Sequence, residues 1–86
     1  MPEISRLYGV IVRMYFGDHS PPHFHAFYGG REALVSISDL RVLAGSLPPR
    51  ALGLVIEWAA LHQGELQACW DRAQSNEAPG RIDPLP

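Results

Sequence analysis

The sequence contains no lysine, only one cysteine and no long apolar run. All seven basic residues are arginines, which are spread from Arg6 to Arg81, and the net charge is −2. The pI is about 6.0. Proteins that bind nucleic acid non-specifically usually carry a clustered basic patch and a high pI. General RNA binding is therefore disfavoured by charge, although a local RNA site stays open.

These absences also bear on the compartment. A single cysteine, Cys69, excludes an intrachain disulfide, which fits a reducing environment. Residues 1–6 lack the apolar segment of a secretory signal peptide, and the longest apolar run, residues 52–61, is far shorter than a membrane span. We therefore expect a cytoplasmic protein with no membrane contact. With 86 residues, of which 47% are hydrophobic, we expect one small domain over residues 1–86.

Apolar periodicity predicts an α+β fold, in which a small, mainly antiparallel sheet of three to four strands packs against one long C-terminal helix. Residues 7–16 are rich in β-branched and aromatic side chains and predict one strand, which ends at Gly17. Residues 23–28 and 31–37 predict the second and third strands. Residues 41–45 predict at most a short fourth strand.

The Gly29-Gly30 pair predicts a two-residue hairpin turn, which fixes the register of the second and third strands. In that register Phe24 pairs with Val35 on the face that we expect to meet the helix. His23 and His25 lie on the opposite face, which we expect to be more polar and more open.

The helical pattern begins at Pro49 and keeps its phase to Gln74, which predicts one helix, bent at Gly64 if at all. Its main apolar stripe comprises Leu52, Val55, Ile56, Ala59, His62, Leu66, Cys69, Trp70 and Ala73. A second stripe comprises Leu54, Trp58 and Leu61. One small sheet cannot cover both stripes, so we expect a homo-oligomer or a partner protein. The tail, residues 81–86, is expected to lie extended on the body or to fray.

Three of the four histidines lie within residues 18–25, DHSPPHFH. His23 and His25, two positions apart on a strand, project to one face about 6.6 Å apart, which suits two ligands of one metal ion. If the Pro-Pro bend folds back, His19 or Asp18 supplies a third ligand. The candidate metal ligands are therefore His19, His23 and His25, and the candidate cofactor is a divalent transition metal.

The same histidines also suit a metal-independent ribonuclease, which needs an imidazole acid or base and a cationic group for phosphate. His23, His25 and Arg13 are the candidate catalytic residues of that hypothesis. In a third interpretation the histidines are structural and only form hydrogen bonds within the turn or line an interface. Whether the chain is an enzyme stays open.

Two segments, residues 1–29 (MPEISRLYGVIVRMYFGDHSPPHFHAFYG) and residues 47–70 (LPPRALGLVIEWAALHQGELQACW), closely resemble a small bacterial family, the domain-of-unknown-function 4160 family. The most specific parts are DHxPPHFH at residues 18–25 and EWxxLH at residues 57–62. The resemblance implies a gene often found beside one for a second small protein, an arrangement like a toxin–antitoxin pair. It implies no catalytic residues.

The leading functional expectation is therefore a component of a bacterial two-gene, toxin–antitoxin-like module. Such a component would act through contact with a small protein that a neighbouring gene encodes. A ribonuclease-type toxin and a metal-binding module at His19, His23 and His25 are the alternatives.

Overall fold

Residues 2–86, the part of the chain that the computed structural model describes, fold into five strands followed by two helices. Met1, which the expected domain includes, lies outside the described residues. The strands are β1 (Glu3–Leu7), β2 (Val10–Arg13), β3 (His23–Tyr28), β4 (Arg31–Ser36) and β5 (Val42–Gly45). The helices are α1 (Pro49–Leu61) and α2 (Gln63–Gln74). The strands form one antiparallel sheet in chain order, so the α+β prediction is confirmed, with more elements than expected.

The predicted single strand over residues 7–16 is wrong, because the chain reverses at Tyr8 and Gly9 to form the β1–β2 hairpin. Both turn residues have a positive φ, 46° and 82°, as a type I′ hairpin turn requires. Glycine adopts this conformation freely, whereas a tyrosine adopts it at a cost. Nothing in the apolar alternation of the sequence marks such a turn.

The predicted register of the β3–β4 hairpin is confirmed, with Phe24 opposite Val35 and His25 opposite Leu34. Phe24 and Val35 are fully buried on the face that meets the helices. The expectation that the histidine face is open is wrong at one end. His23 is only 5% exposed, because the Trp70 ring of α2 packs against it at a centroid distance of 5.3 Å.

The predicted single long helix is also wrong, because the helical segment breaks at His62. This residue has φ −129° and ψ 24°, which is not a helical conformation. The break falls two residues before Gly64. It allows α2 to pack across the end of the sheet, where Gln63 donates a hydrogen bond of 2.8 Å to the carbonyl oxygen of Ile37.

The core lies between one face of the sheet and the two helices, and Trp58 is one of its largest fully buried side chains. Its ring meets the ring of Phe24 edge-on, with centroids 5.8 Å apart. Trp58 therefore does not belong to a second, uncovered stripe, as the periodicity indicated. Leu54 is partly buried, and only Leu61, at 65%, is largely exposed. The second apolar stripe therefore no longer supports an oligomer. The expectation of an oligomer stays a prediction.

The C-terminal tail lies along the β1 side of the sheet. Of the two expected alternatives, an extended tail on the body and a frayed one, the structure shows the first. The Ile82 amide donates to the carbonyl oxygen of Ile4 at 2.7 Å, and the Trp58 indole N–H donates to the carbonyl oxygen of Asp83 at 2.8 Å. The tail thus covers one edge of the sheet. At the other edge, β5 is exposed along its whole length. None of the helices in residues 2–86 has the length and apolar character that a bilayer span requires.

Replacing Phe24 with Ala should lower the free energy of unfolding by about 3–5 kcal/mol, because it removes a fully buried ring that packs against Trp58. Phe16→Ala is the matched control, since Phe16 is exposed and its loss should cost less than about 0.5 kcal/mol. Urea denaturation of both variants measures the difference. Equal losses in the two variants would contradict the assigned core.

Candidate metal centre

Three side chains, those of Asp18, His23 and His25, converge at the beginning of β3. The Nε2 atom of His23 lies 3.1 Å from the Oδ2 atom of Asp18, and the Nε2 atom of His25 lies 2.9 Å from the same oxygen. One candidate ligand atom from each residue therefore lies within 4.8 Å of the other two. This separation is short enough for all three to contact one ion.

The loop between β2 and β3 carries Asp18 to this position. Pro21 and Pro22 have no amide hydrogen to donate to a ladder, so β3 begins only at His23. The end of α2 holds the loop on both sides of Asp18. Gly17 donates its amide to the carbonyl oxygen of Ala73, and the Gln74 side chain donates to the carbonyl oxygen of Asp18 at 3.0 Å.

The Nδ1 atoms of the two histidines face fixed acceptors. That of His23 lies 2.7 Å from the carbonyl oxygen of Pro21, and that of His25 lies 2.8 Å from the carboxylate of Glu32. A carbonyl oxygen and an ionised carboxylate only accept, and the Asp18 carboxylate at Nε2 is such an acceptor too, so each ring lies between two acceptors. A neutral imidazole carries one hydrogen and can satisfy only one of them. A neutral ring that keeps its hydrogen on Nδ1 presents its Nε2 lone pair to Asp18.

Two lone pairs and a carboxylate oxygen repel one another, so the cluster attracts a cation. The cation is either a proton on one of the rings or a metal ion between the three atoms. Histidines that bind metals generally donate their other N–H to a carboxylate or a backbone carbonyl, which orients the ring and raises its basicity. Here His25 uses the first kind of acceptor, the Glu32 carboxylate, and His23 the second, the Pro21 carbonyl oxygen.

Asp18 is held in its ionised form. Burial alone would raise the pKa of this carboxyl, but a hydrogen bond from the protonated His25 ring, the His19 backbone N–H and the positive charge that His23 and His25 carry when protonated together lower it below its ordinary value. The His19 N–H bonds the second carboxylate oxygen, Oδ1, at 2.9 Å. The oxygen that faces the histidines, Oδ2, thus remains available to a cation.

Aromatic rings enclose the two histidines. Tyr15 meets the His25 ring edge-on at 4.4 Å, Phe27 lies nearly parallel to that ring at 6.4 Å, and Trp70 packs on His23. These apolar neighbours reduce access of water to the rings and strengthen electrostatic interactions within the cluster.

The other predicted site residues lie around the cluster. The side chain of His19 is exposed. This residue contacts the cluster through its backbone N–H, which donates to Asp18. Arg13 pairs with His25 across β2 and β3, but its guanidinium carbon lies 5.0 Å from the centre of the Phe27 ring. The structure thus brings His23 and His25 together with Asp18, the alternative third ligand.

Sequence reasoning did not identify the acceptors of the Nδ1 hydrogens. Glu32 could have been found, because the predicted register places it opposite Phe27, on the same sheet face as His25. The carbonyl oxygen of Pro21 leaves no comparable signal. His62, expected on the apolar stripe, lies at the helix junction, where its Nδ1 atom is 2.6 Å from the Glu65 carboxylate.

A family model described as a domain of unknown function (DUF4160) matches residues 9–71. The match covers well over half of the chain, and the chain therefore belongs to this family. The matched region includes Asp18, His23, His25 and Glu32. Comparisons with curated proteins and with solved structures gave no match.

Replacing Asp18 with Asn should destabilise the metal-free protein near pH 7. Because folding lowers the pKa of Asp18, the ionised carboxylate stabilises the native state above its unfolded-state pKa of about 3.9, and this stabilisation is lost as pH falls through the lower folded-state value. Charged hydrogen bonds of this kind contribute about 1.5–3 kcal/mol.

Denaturation curves in the presence of a chelator, from pH 7 down to acid, measure this effect. The difference between wild type and Asp18→Asn should shrink at the acid end. Asp71→Asn, which changes an exposed carboxylate of α2, is the control. A difference that stays constant with pH would contradict the assigned ionisation of Asp18.

Proposed function

We propose that this protein binds one divalent transition-metal ion through the Oδ2 atom of Asp18 and the Nε2 atoms of His23 and His25. The observation that carries this proposal is that each ring lies between an acceptor at Nδ1 and the same Asp18 oxygen at Nε2, so that neutral rings with their hydrogens on Nδ1 turn both lone pairs to one carboxylate oxygen. Two imidazoles and one carboxylate suit zinc, nickel, cobalt or ferrous iron better than magnesium or calcium, which prefer oxygen ligands alone.

A donor set of three leaves at least one coordination position for water or for a small ligand, as in catalytic zinc sites. The sequence-based ligand set of His19, His23 and His25 differs in its third member. His19 neighbours Asp18 in the chain, and its exposed ring would have to turn inward to bind the same ion. The two ligand sets make different predictions for single substitutions.

Calorimetric titration of chelator-treated protein with Zn²⁺ and Ni²⁺ tests the proposal. Wild type should bind one ion per chain, and His23→Ala, His25→Ala and Asp18→Asn should each lose more than about tenfold in affinity. His19→Ala should bind like wild type. Affinity should also fall as the solution is acidified, since ligating imidazoles must be neutral.

A matched pair of glutamate substitutions examines the orientation of His25. Glu32→Gln removes the carboxylate that accepts the His25 Nδ1 hydrogen, and affinity should fall about 10–100-fold. Glu65→Gln alters the equivalent contact of His62 and should have no effect. If wild type gives neither heat nor a thermal shift, the metal site is refuted. A loss in His19→Ala equal to that in His25→Ala would favour the sequence-based set.

A second candidate function is contact with a partner protein, as in the toxin–antitoxin-like module. The observation in its favour is β5, an edge strand whose four residues are all exposed and include Val42 and Leu43. The unpaired backbone groups of such an edge can pair with a strand of another chain. The partner of this proposal is the small protein that the neighbouring gene encodes, and a homo-oligomer is the alternative occupant.

Co-expression with the neighbouring gene product tests the second candidate. Leu43→Lys should abolish co-purification of the two chains, because a lysine on an edge strand opposes strand pairing. Leu61→Lys, which changes an exposed leucine of α1, should leave co-purification intact. Light scattering of the isolated chain reports homo-oligomers. Equal behaviour of both variants, or absence of a complex in wild type, would contradict a role of β5 in this contact.

The ribonuclease hypothesis, with His23, His25 and Arg13 as catalytic residues, has less support. The Arg13 guanidinium stacks on Phe27, and both nitrogens of each histidine already face acceptors of the protein itself. If His25→Ala removed a cellular toxicity without changing metal uptake, this hypothesis would replace the metal proposal.

A further inference from the structure

A groove of about 420 Å³ lies at the turn end of the sheet, where both hairpins meet the first turns of α1. This volume falls in the range of sites for small molecules. The groove is lined by Tyr8, Tyr28, Pro48, Arg50, Ala51 and Leu54. Tyr28 shares its sheet face with Phe24 and ends β3, whereas the metal centre lies on the opposite face at the beginning of that strand. The groove and the metal centre are therefore separate.

Two aromatic rings form the apolar wall of the groove, and both are accessible: Tyr8 is 59% exposed and Tyr28 is 40% exposed. The Tyr28 ring lies directly against Gly9, where a Cβ atom would come within 3.3 Å of its Cε1 atom. Glycine at this turn thus permits the close approach that positions Tyr28.

The type I′ turn requires a positive φ at position 8, and a tyrosine adopts it only with strain. Its φ of 46° is left-handed, and asparagine, aspartate or glycine would fit this position of a type I′ turn better. Strained backbone positions of this kind concentrate at functional sites. The Tyr8 hydroxyl also donates to the carbonyl oxygen of Pro86, which fixes the ring beside the groove.

The charge of the groove is positive, although the chain as a whole is negative. Arg50 lines the groove, and Arg31 stands directly opposite Tyr28 on the same sheet face. The first turn of α1 contains no acidic residue that would neutralise Arg50. Within residues 2–86 the arginine ion pairs are those of Arg6, Arg41 and Arg81. The Arg50 guanidinium group that lines the groove is therefore available to an anion.

We propose that this groove binds a small organic anion, in which a carboxylate or phosphate group is attached to an aromatic or aliphatic body. The anionic group pairs with Arg50, because guanidinium and oxyanion form strong charge-assisted hydrogen bonds. The apolar body lies between the rings of Tyr8 and Tyr28, which offer large apolar faces.

Titration of ¹⁵N-labelled, chelator-treated protein with phenyl phosphate, followed by amide chemical shifts, tests this proposal. Saturable shifts are expected at Gly9, Tyr28, Arg50 and Ala51. Benzyl alcohol lacks the anion and inorganic phosphate lacks the ring, so each should bind at least about tenfold more weakly, which corresponds to 1.4 kcal/mol. Equal binding of either fragment would overturn the proposed ligand class.

Two variants locate the site. Arg50→Gln should weaken phenyl phosphate binding at least about tenfold, whereas Arg41→Gln, at an arginine paired with Asp39, should not. Tyr8→Asn removes the ring but keeps a residue that tolerates the left-handed turn, so it should weaken binding without loss of stability. Shifts centred on His23 and His25, binding unchanged in Arg50→Gln, or no saturable shifts would each overturn the proposal.

Discussion

The two hydrogen bonds at the Nδ1 atoms of His23 and His25 determine what the candidate centre can hold. Their acceptors, the Pro21 carbonyl oxygen and the Glu32 carboxylate, have no hydrogen to give, and neither has Asp18 at the Nε2 atoms. A neutral ring that donates through Nδ1 therefore turns a lone pair toward Asp18. Without these acceptors the rings could simply donate to Asp18, and the cluster would be an ordinary hydrogen-bonded turn. With them, it is an anionic site that a proton or a metal ion neutralises.

The rest of the fold positions Asp18, the two histidines and the acceptor Glu32 relative to one another. The β3–β4 register sets Glu32 on the face of His25, the end of α2 holds the loop that carries Asp18, and Trp70 covers His23. When both rings are neutral, repulsion within the empty cluster offsets part of the stability that the ionised Asp18 contributes. An ion that binds only the native state would restore that stability by mass action, so the site and the fold stabilise one another.

Part of this arrangement follows from sequence because its determinants are local. The Gly29-Gly30 turn fixes the register of β3 and β4, and alternation then assigns the faces of Phe24 and His25. The β1–β2 hairpin could not be predicted, because a left-handed Tyr8 contradicts ordinary turn preferences. The helix break at His62 keeps the phase of the apolar stripe and therefore leaves no periodic signal. The acceptor role of the Pro21 carbonyl depends on the path of the loop.

Long-range ¹H–¹⁵N correlation spectra of the imidazole nitrogens test the arrangement of the centre most directly. In metal-free protein at mildly alkaline pH, His23 and His25 should both carry their hydrogen on Nδ1. One equivalent of Zn²⁺ should then shift both Nε2 resonances and leave the Nδ1 hydrogens in place. Hydrogens on Nε2 in the free protein, together with Nε2 resonances that zinc does not move, would contradict the assigned tautomers and the proposed metal site.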